Sequence, residues 1–166
     1  MEKRSVEAIV RALNDAGVRY LIVGGLAVVA HGYLRFTADV DLIVDLHEEN
    51  LRRALAALEP LGYRPRLPVP IEQLLDPDTR AQWIREKGMK VFSLISTQHQ
   101  RTDVDLFVED PLGFERAYAD ATRVEVAPDI TGTFVALDDL ILMKTQAGRP
   151  RDMEDIQQLQ KLRRQP

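Results

Sequence analysis

Apolar positions along the chain alternate between helical and strand spacing, and the changes of period set out the elements. Val6, Ile9, Val10 and Leu13 recur at helical spacing before the stop Asn14-Asp15-Ala16-Gly17, which predicts an amphipathic surface helix. A run near Arg19 to Val23 predicts a strand, Gly24-Gly25 a turn, and Leu26 to His31 a short helix closed by Gly32. Tyr33 to Ala38 reads as a loop delivering the chain to a second strand, Val40 to Leu46. Leu51, Leu55 and Leu58 mark a helix ended by Pro60 and Gly62. Pro65 to Pro70 reads as an insertion loop, and Pro77 to Lys87 as a helix before Gly88. Met89 to Ser96 and Val104 to Val108 read as strands joined into a hairpin by polar Thr97 to Thr102. A short helix at Phe114 to Tyr118 precedes small strands at Arg123 to Val126 and Thr133 to Ala136. Helices at Leu137 to Ala147 and Pro150 to Arg163 close the chain, with Pro150 suited to a first helical turn.

The chemistry gathers where this pattern carries acids. Asp39 and Asp41 alternate with Val40, Leu42 and Val44, so strand geometry puts both carboxylates on one face. Same-face neighbours are separated by about 7 Å of rise, close enough to lean onto one divalent ion. A single strand acid more often faces solvent or guards an edge; an Asp-x-Asp following a Gly-Gly turn, with further acids on a later strand, points to a metal. Magnesium prefers octahedral oxygen coordination, and Arg101 to Val108 offers a third ligand in Asp103 or Asp105. Asp105 is favoured, because apolar neighbours place it inside the strand while Asp103 sits at its polar end.

Composition narrows the setting. The 166 residues, 45% hydrophobic, suffice for one buried core and are too few for two comfortable domains, so residues 1–166 are expected to form a single unit. A net charge of -4 gives no footprint for wide nucleic-acid grip; such a partner would be held by a local patch. The lack of cysteine excludes disulfides, thiol catalysis, cysteine-ligated zinc and iron–sulfur clusters. No apolar run approaches the ~20 residues that span a bilayer, and the amphipathic, acid-containing start does not resemble a secretory signal. A cytoplasmic protein without membrane contact is expected.

At ~100° per residue, Asp152, Asp155, Ile156, Leu159 and Leu162 fall on one side of the last helix, so two carboxylates lie along an apolar stripe. Lys144 shares a stripe with Leu137, Leu140 and Ile141 on the helix before. One reading is a partly buried ion pair of Lys144 with Asp152 or Asp155, tying the helices together. Another puts Lys144 on a triphosphate, with Asp152 orienting it or a substrate group. Arg35 and Thr37 read equally as phosphate contacts or as plain loop residues. His31 reads as a capping residue and Trp83 and Tyr63 as packing, while His47 and His99 lack partners at metal-binding spacing.

Gly24-Gly25, Arg35, Thr37, Asp39, Asp41 and Asp105 together resemble the nucleotidyltransferase superfamily of the DNA polymerase beta-like fold. Its pattern is a Gly-Gly or Gly-Ser turn, an Asp-x-Asp strand and a third Asp on a later strand. From Val18 to about Leu159 the chain is most similar to small prokaryotic AbiEii toxin-like and minimal nucleotidyltransferases, whose ending matches Lys144, Arg149 and Asp152. The resemblance implies an α/β (α+β) fold with a mixed, mainly antiparallel sheet, flanking helices and a helical C-terminus. It also implies transfer of NMP from an NTP to a hydroxyl of a macromolecule, tRNA or protein, with Mg²⁺ or Mn²⁺ on Asp39, Asp41 and Asp105. Gly24, Gly25, Arg35, Thr37, Lys144 and Asp152 would serve the nucleotide, and Lys144 would join the three acids in catalysis. A toxin role with a cognate antitoxin is further implied, while the chain's lack of room for a large acceptor-binding domain leaves a partner or a homodimer to complete the site. The competing expectation is a silent nucleotide-binding or partner protein of the same fold. Gly25 departs from the commoner serine, which removes a hydroxyl phosphate ligand.

Overall fold

The computed structural model describes residues 1–164. Its elements run α1 (Lys3–Asp15), β1 (Tyr20–Val23), α2 (Gly24–Ala30), β2 (Asp39–Val44), α3 (Glu48–Leu58) and β3 (Tyr63–Pro65). They continue with α4 (Pro77–Lys87), β4 (Val91–Ser96), β5 (Asp103–Phe107), α5 (Phe114–Ala119), β6 (Thr122–Ala127), β7 (Ile130–Phe134), α6 (Leu137–Ala147) and α7 (Pro150–Arg163). Short 3-10 turns occupy Glu59–Leu61 and Ile71–Leu75.

All strands join one seven-stranded sheet in the order β3-β4-β5-β2-β1-β7-β6. The pairs β2/β5 and β1/β7 are parallel and the rest antiparallel, so the sheet is mixed and mainly antiparallel. Together with the flanking helices it forms the α/β architecture expected of the sequence.

Two strands differ from the sequence expectation. Tyr63–Pro65 is a strand at the sheet edge, where no strand was expected and where only Pro65, its last residue, belongs to the expected insertion loop, because three residues are too few to show a period. The last strand begins at Ile130 rather than Thr133, since Pro128 and Asp129 make a tight hairpin turn with Asp129 at φ 64°. Asp129 tolerates that left-handed conformation better than most residues.

Burial is one-sided where the acids lie. Val40, Leu42 and Val44 of β2, Phe92 and Leu94 of β4, and Val104 and Leu106 of β5 are fully buried on one face, each large apolar side chain worth roughly 1.5–3 kcal/mol. On the other face Asp39, Asp41, Asp103, Asp105 and Ser93 are only half-buried. Next to these acids, α2 packs on β1 and β2, α6 packs on α2, and α7 lies against α6. His31 fixes the end of α2 through a 2.8 Å contact between Nε2 and the Val135 carbonyl, consistent with a capping residue. Trp83 stacks on Phe92, and Tyr63 is buried with its hydroxyl donating to the Thr102 carbonyl. His47 pairs with Asp45, and His99 with Ser5.

Candidate active site

Parallel pairing of β2 with β5 sets Asp39 opposite Asp103 and Asp41 opposite Asp105. In a strand pair, register partners share a face, so four carboxylates form a two-by-two array. Arg66, arriving from the stretch after β3, closes an ion pair on Asp103. Among the described residues Asp39, Asp41 and Asp105 have no such cation, which separates Asp105 from its neighbour two positions earlier.

Crowding shows in the acids' proton affinities. Burial, and then the charges of Asp105 and Asp39, push Asp41 up to about 6; the Gly25 backbone N–H and the Lys144 charge work the other way. Asp39 is also raised, first by burial and then by Asp105 and Asp103. A nearby cation would favour the charged form of both carboxylates.

The donors are all oxygen, which suits a hard divalent ion. Among the described residues no three His, Cys, Asp or Glu side chains form a ready-made metal cage.

Beside the acids, the turn at the end of β1 is built without side chains. Gly24 has φ +62°, and a Cβ there would lie 1.9 Å from Asp41 Oδ2, so both conformation and space require glycine. A Cβ on Gly25 would lie 2.3 Å from Thr37 Oγ1 and 3.0 Å from Arg35 Nη2. The 33–38 loop therefore folds directly over this turn.

Arg35 extends from that loop to Asp155, with Nε and Nη2 at 2.9 and 3.0 Å from the two carboxylate oxygens. Lys144 Nζ meets Asp155 at 2.7 Å and Asp152 at 3.0 Å. Asp152 also accepts from the Arg149 backbone N–H at 3.2 Å, capping the start of α7, where Gly148 at φ +61° has turned the chain out of α6. Lys144, Asp152 and Asp155 are nearly inaccessible. Two cations and two anions thus close a neutral cluster behind the acid array.

The structure brings together Gly24, Gly25, Thr37 and Asp41, and joins Arg35 to Lys144 and Asp152. It places Lys144 in ion pairs rather than free toward solvent. Asp155, the hub, bears out the reading of a buried ion pair with Lys144 that ties the helices together; its second partner, Arg35, carried no sequence signal. Arg66 carried no sequence signal, because it lies in a proline-rich stretch without period. Beyond Asp103, a cleft of about 510 Å³ runs along β3 and β4, lined by Arg64, Arg66, Ile95, Thr97 and Gln100 among others.

Comparison with known proteins follows the same lines. No curated protein matches the chain. Among solved structures, the lincosamide antibiotic adenylyltransferase LnuA, lincomycin-bound, superposes with a TM-score of 0.64 at 14% identity, covering 98% of both chains. ANT(2")-Ia in complex with adenylyl-2"-tobramycin gives 0.60 at 15%, covering 97% of this chain and 94% of the other. At such identities the likeness is one of fold. The family model described as "Nucleotidyltransferase of unknown function (DUF6036)" matches residues 4–164, and the chain belongs to that nucleotidyltransferase family.

Proposed function

We propose that the chain acts as one catalytic unit moving NMP from a nucleoside triphosphate to an acceptor hydroxyl. The observation that carries this reading is the triad Asp39, Asp41 and Asp105, set on one sheet face without a neutralising cation among the described residues. These three residues would hold Mg²⁺ or Mn²⁺, which when bound neutralises phosphate charge and stabilises the transferring group. Backbone N–H groups at Gly24-Gly25 bind the phosphates, and Arg35, held on Asp155, adds positive charge beside them. Asp105 takes the proton of the acceptor hydroxyl as its oxygen bonds to the α-phosphorus; the bond to pyrophosphate breaks and pyrophosphate leaves. Lys144, fixed by Asp152 and Asp155, acts on the site by its charge.

The acceptor enters along the cleft beside Asp103. A hydroxyl protruding from tRNA or protein fits an open cleft at the sheet edge. So does a small molecule of the kind named for the structural neighbours, lincomycin for one and adenylyl-2"-tobramycin for the other. A toxin role would follow from the first acceptor class, with a cognate antitoxin as partner. A second reading, nucleotide binding without turnover, draws support from Lys144 being committed to ion pairs.

Incubation with each α-labelled NTP, Mg²⁺ or Mn²⁺, and in turn total tRNA, extract protein, a lincosamide and an aminoglycoside distinguishes these. Label should move to one acceptor class, and Asp41→Asn and Asp105→Asn should each reduce transfer about a thousandfold, the loss of several kcal/mol of charge stabilisation. Transfer surviving in Asp41→Asn would overturn the assigned chemistry. Abolition by Asp103→Asn but not Asp105→Asn would reassign the third acid.

A further inference from the structure

The sheet ends in two edges of different make. β3 is three residues long and closes in Pro65, a short, proline-blunted edge of the kind that discourages further pairing. β6, at the other end, runs six residues with neither proline nor lysine. Among the described residues no strand pairs with its outer side, so a row of backbone N–H and C=O groups faces outward. Its ladder with β7 is regular from Thr122 to Glu125, before a bulge. Successive side chains alternate between faces: Arg123 and Glu125 are exposed on one, and Val124 and Val126 lie half-buried on the other. Those two valines line an apolar groove of about 330 Å³ with Leu26, Val29, Ala30 and Phe134 among others. Edge charges guard a strand when an incoming edge meets its own sign. This edge carries one cation and one anion, two residues apart.

We propose that β6 is a dimerisation edge, pairing antiparallel with the β6 of a second copy about a two-fold axis at Val124 and joining the two sheets into one. In an antiparallel pair centred on one residue, positions equally far on either side of it stand opposite each other. Val124 then faces the partner's Val124, Arg123 faces the partner's Glu125, and Thr122 faces the partner's Val126. Two opposite-charge pairs form on one face. Centring the pair on Arg123 or on Glu125 would instead set like charges against each other, so the alternation selects one register. On the other face the valines of both copies meet across the axis and bring the two apolar grooves side by side, adding burial to the strand hydrogen bonds. The edge lies three strands from β2, so this interface stands apart from the transfer chemistry.

Sedimentation of the full chain over a micromolar dilution series should show a reversible monomer–dimer equilibrium, and the β6 amides should exchange more slowly as concentration rises. Arg123→Glu and Glu125→Arg each set like charges opposite one another and should each weaken dimerisation at least ~10-fold. Thermal melts check folding in parallel. Arg123 also touches Tyr118 and Thr133 of its own chain, so Glu125→Arg decides alone if Arg123→Glu melts early. Mixed together, the two single variants should form a heterodimer, because the acidic edge of one meets the basic edge of the other. Arg123→Glu with Glu125→Arg in one chain should recover most of the affinity. The proposal is overturned if the wild type stays monomeric, whether β6 is bare or takes another protein's strand. It is equally overturned if the folded single variants dimerise like wild type, which places the interface elsewhere, or if neither the mixture nor the double variant recovers association.

Discussion

Two carboxylate groups share one side of this sheet and are treated in opposite ways. Asp152 and Asp155 lie in the neutral cluster with Lys144 and Arg35, nearly inaccessible and with ion-pair distances of 2.7–3.0 Å. Asp39, Asp41 and Asp105 lie a short way off on β2 and β5, with burial and mutual repulsion raising the first two. A fold that pairs its buried acids in one place and leaves three unpaired in another is poised for a charge brought from outside. The paired set holds α6, α7 and the 33–38 loop together, and the unpaired set stores the unfavourable energy that a cation relieves.

Perturbing each set should move stability in opposite directions. Asp155→Asn leaves Arg35 and Lys144 undercompensated in a closed site, so denaturant melts should show a loss of about 3–5 kcal/mol, the usual cost of breaking a buried pair. Equal stability in that variant would mean the cluster is not the tie described. Asp41→Asn should instead raise metal-free stability at pH 7.5 by about 1–3 kcal/mol, because it removes one of three crowded charges.

The pH dependence follows from the sign of the shift. Asp41 is raised to about 6, above its unfolded value of ~3.9, so the folded state holds its proton more tightly. Its favourable contribution is complete below about pH 4 and lost as pH rises through about 6. Without divalent ions Tm should therefore fall between pH 5 and 7.5. Millimolar Mg²⁺ should recover that fall at pH 7.5, and Asp41→Asn should flatten it. A metal-free Tm that stays level across this range would break the contrast between the two sets. The smallest effect belongs to Asp103→Asn: its partner Arg66 is 55% exposed, and exposed pairs are typically worth under ~1 kcal/mol.

How much of this was readable in the chain depends on whether a period carried it. Asp39 and Asp41 were legible because a two-residue repeat fixes their face before any partner strand is known. Lys144, Asp152 and Asp155 were legible as a base and two acids on apolar helical stripes, which narrowed their partners but left open whether they serve structure or substrate. Arg35 joining that cluster was not legible, since a six-residue loop has no repeat to orient it. Nor was Arg66 on Asp103, which depends on a three-residue edge strand and an irregular turn. The glycine at 25 looked like a missing hydroxyl, and only the folded loop shows what takes up the space.

The in-register pairing of β2 with β5 has a kinetic consequence. Asp41 and Asp105 come from distant parts of the chain and meet only through a parallel pair, which cannot form as a local hairpin. Because closing such a loop is slow compared with local structure formation, the triad belongs to a late stage of folding, and no nascent chain that stops short of β5 can hold it. A divalent ion bound by the triad would then report, in stopped flow, on the closure of the β2/β5 pair.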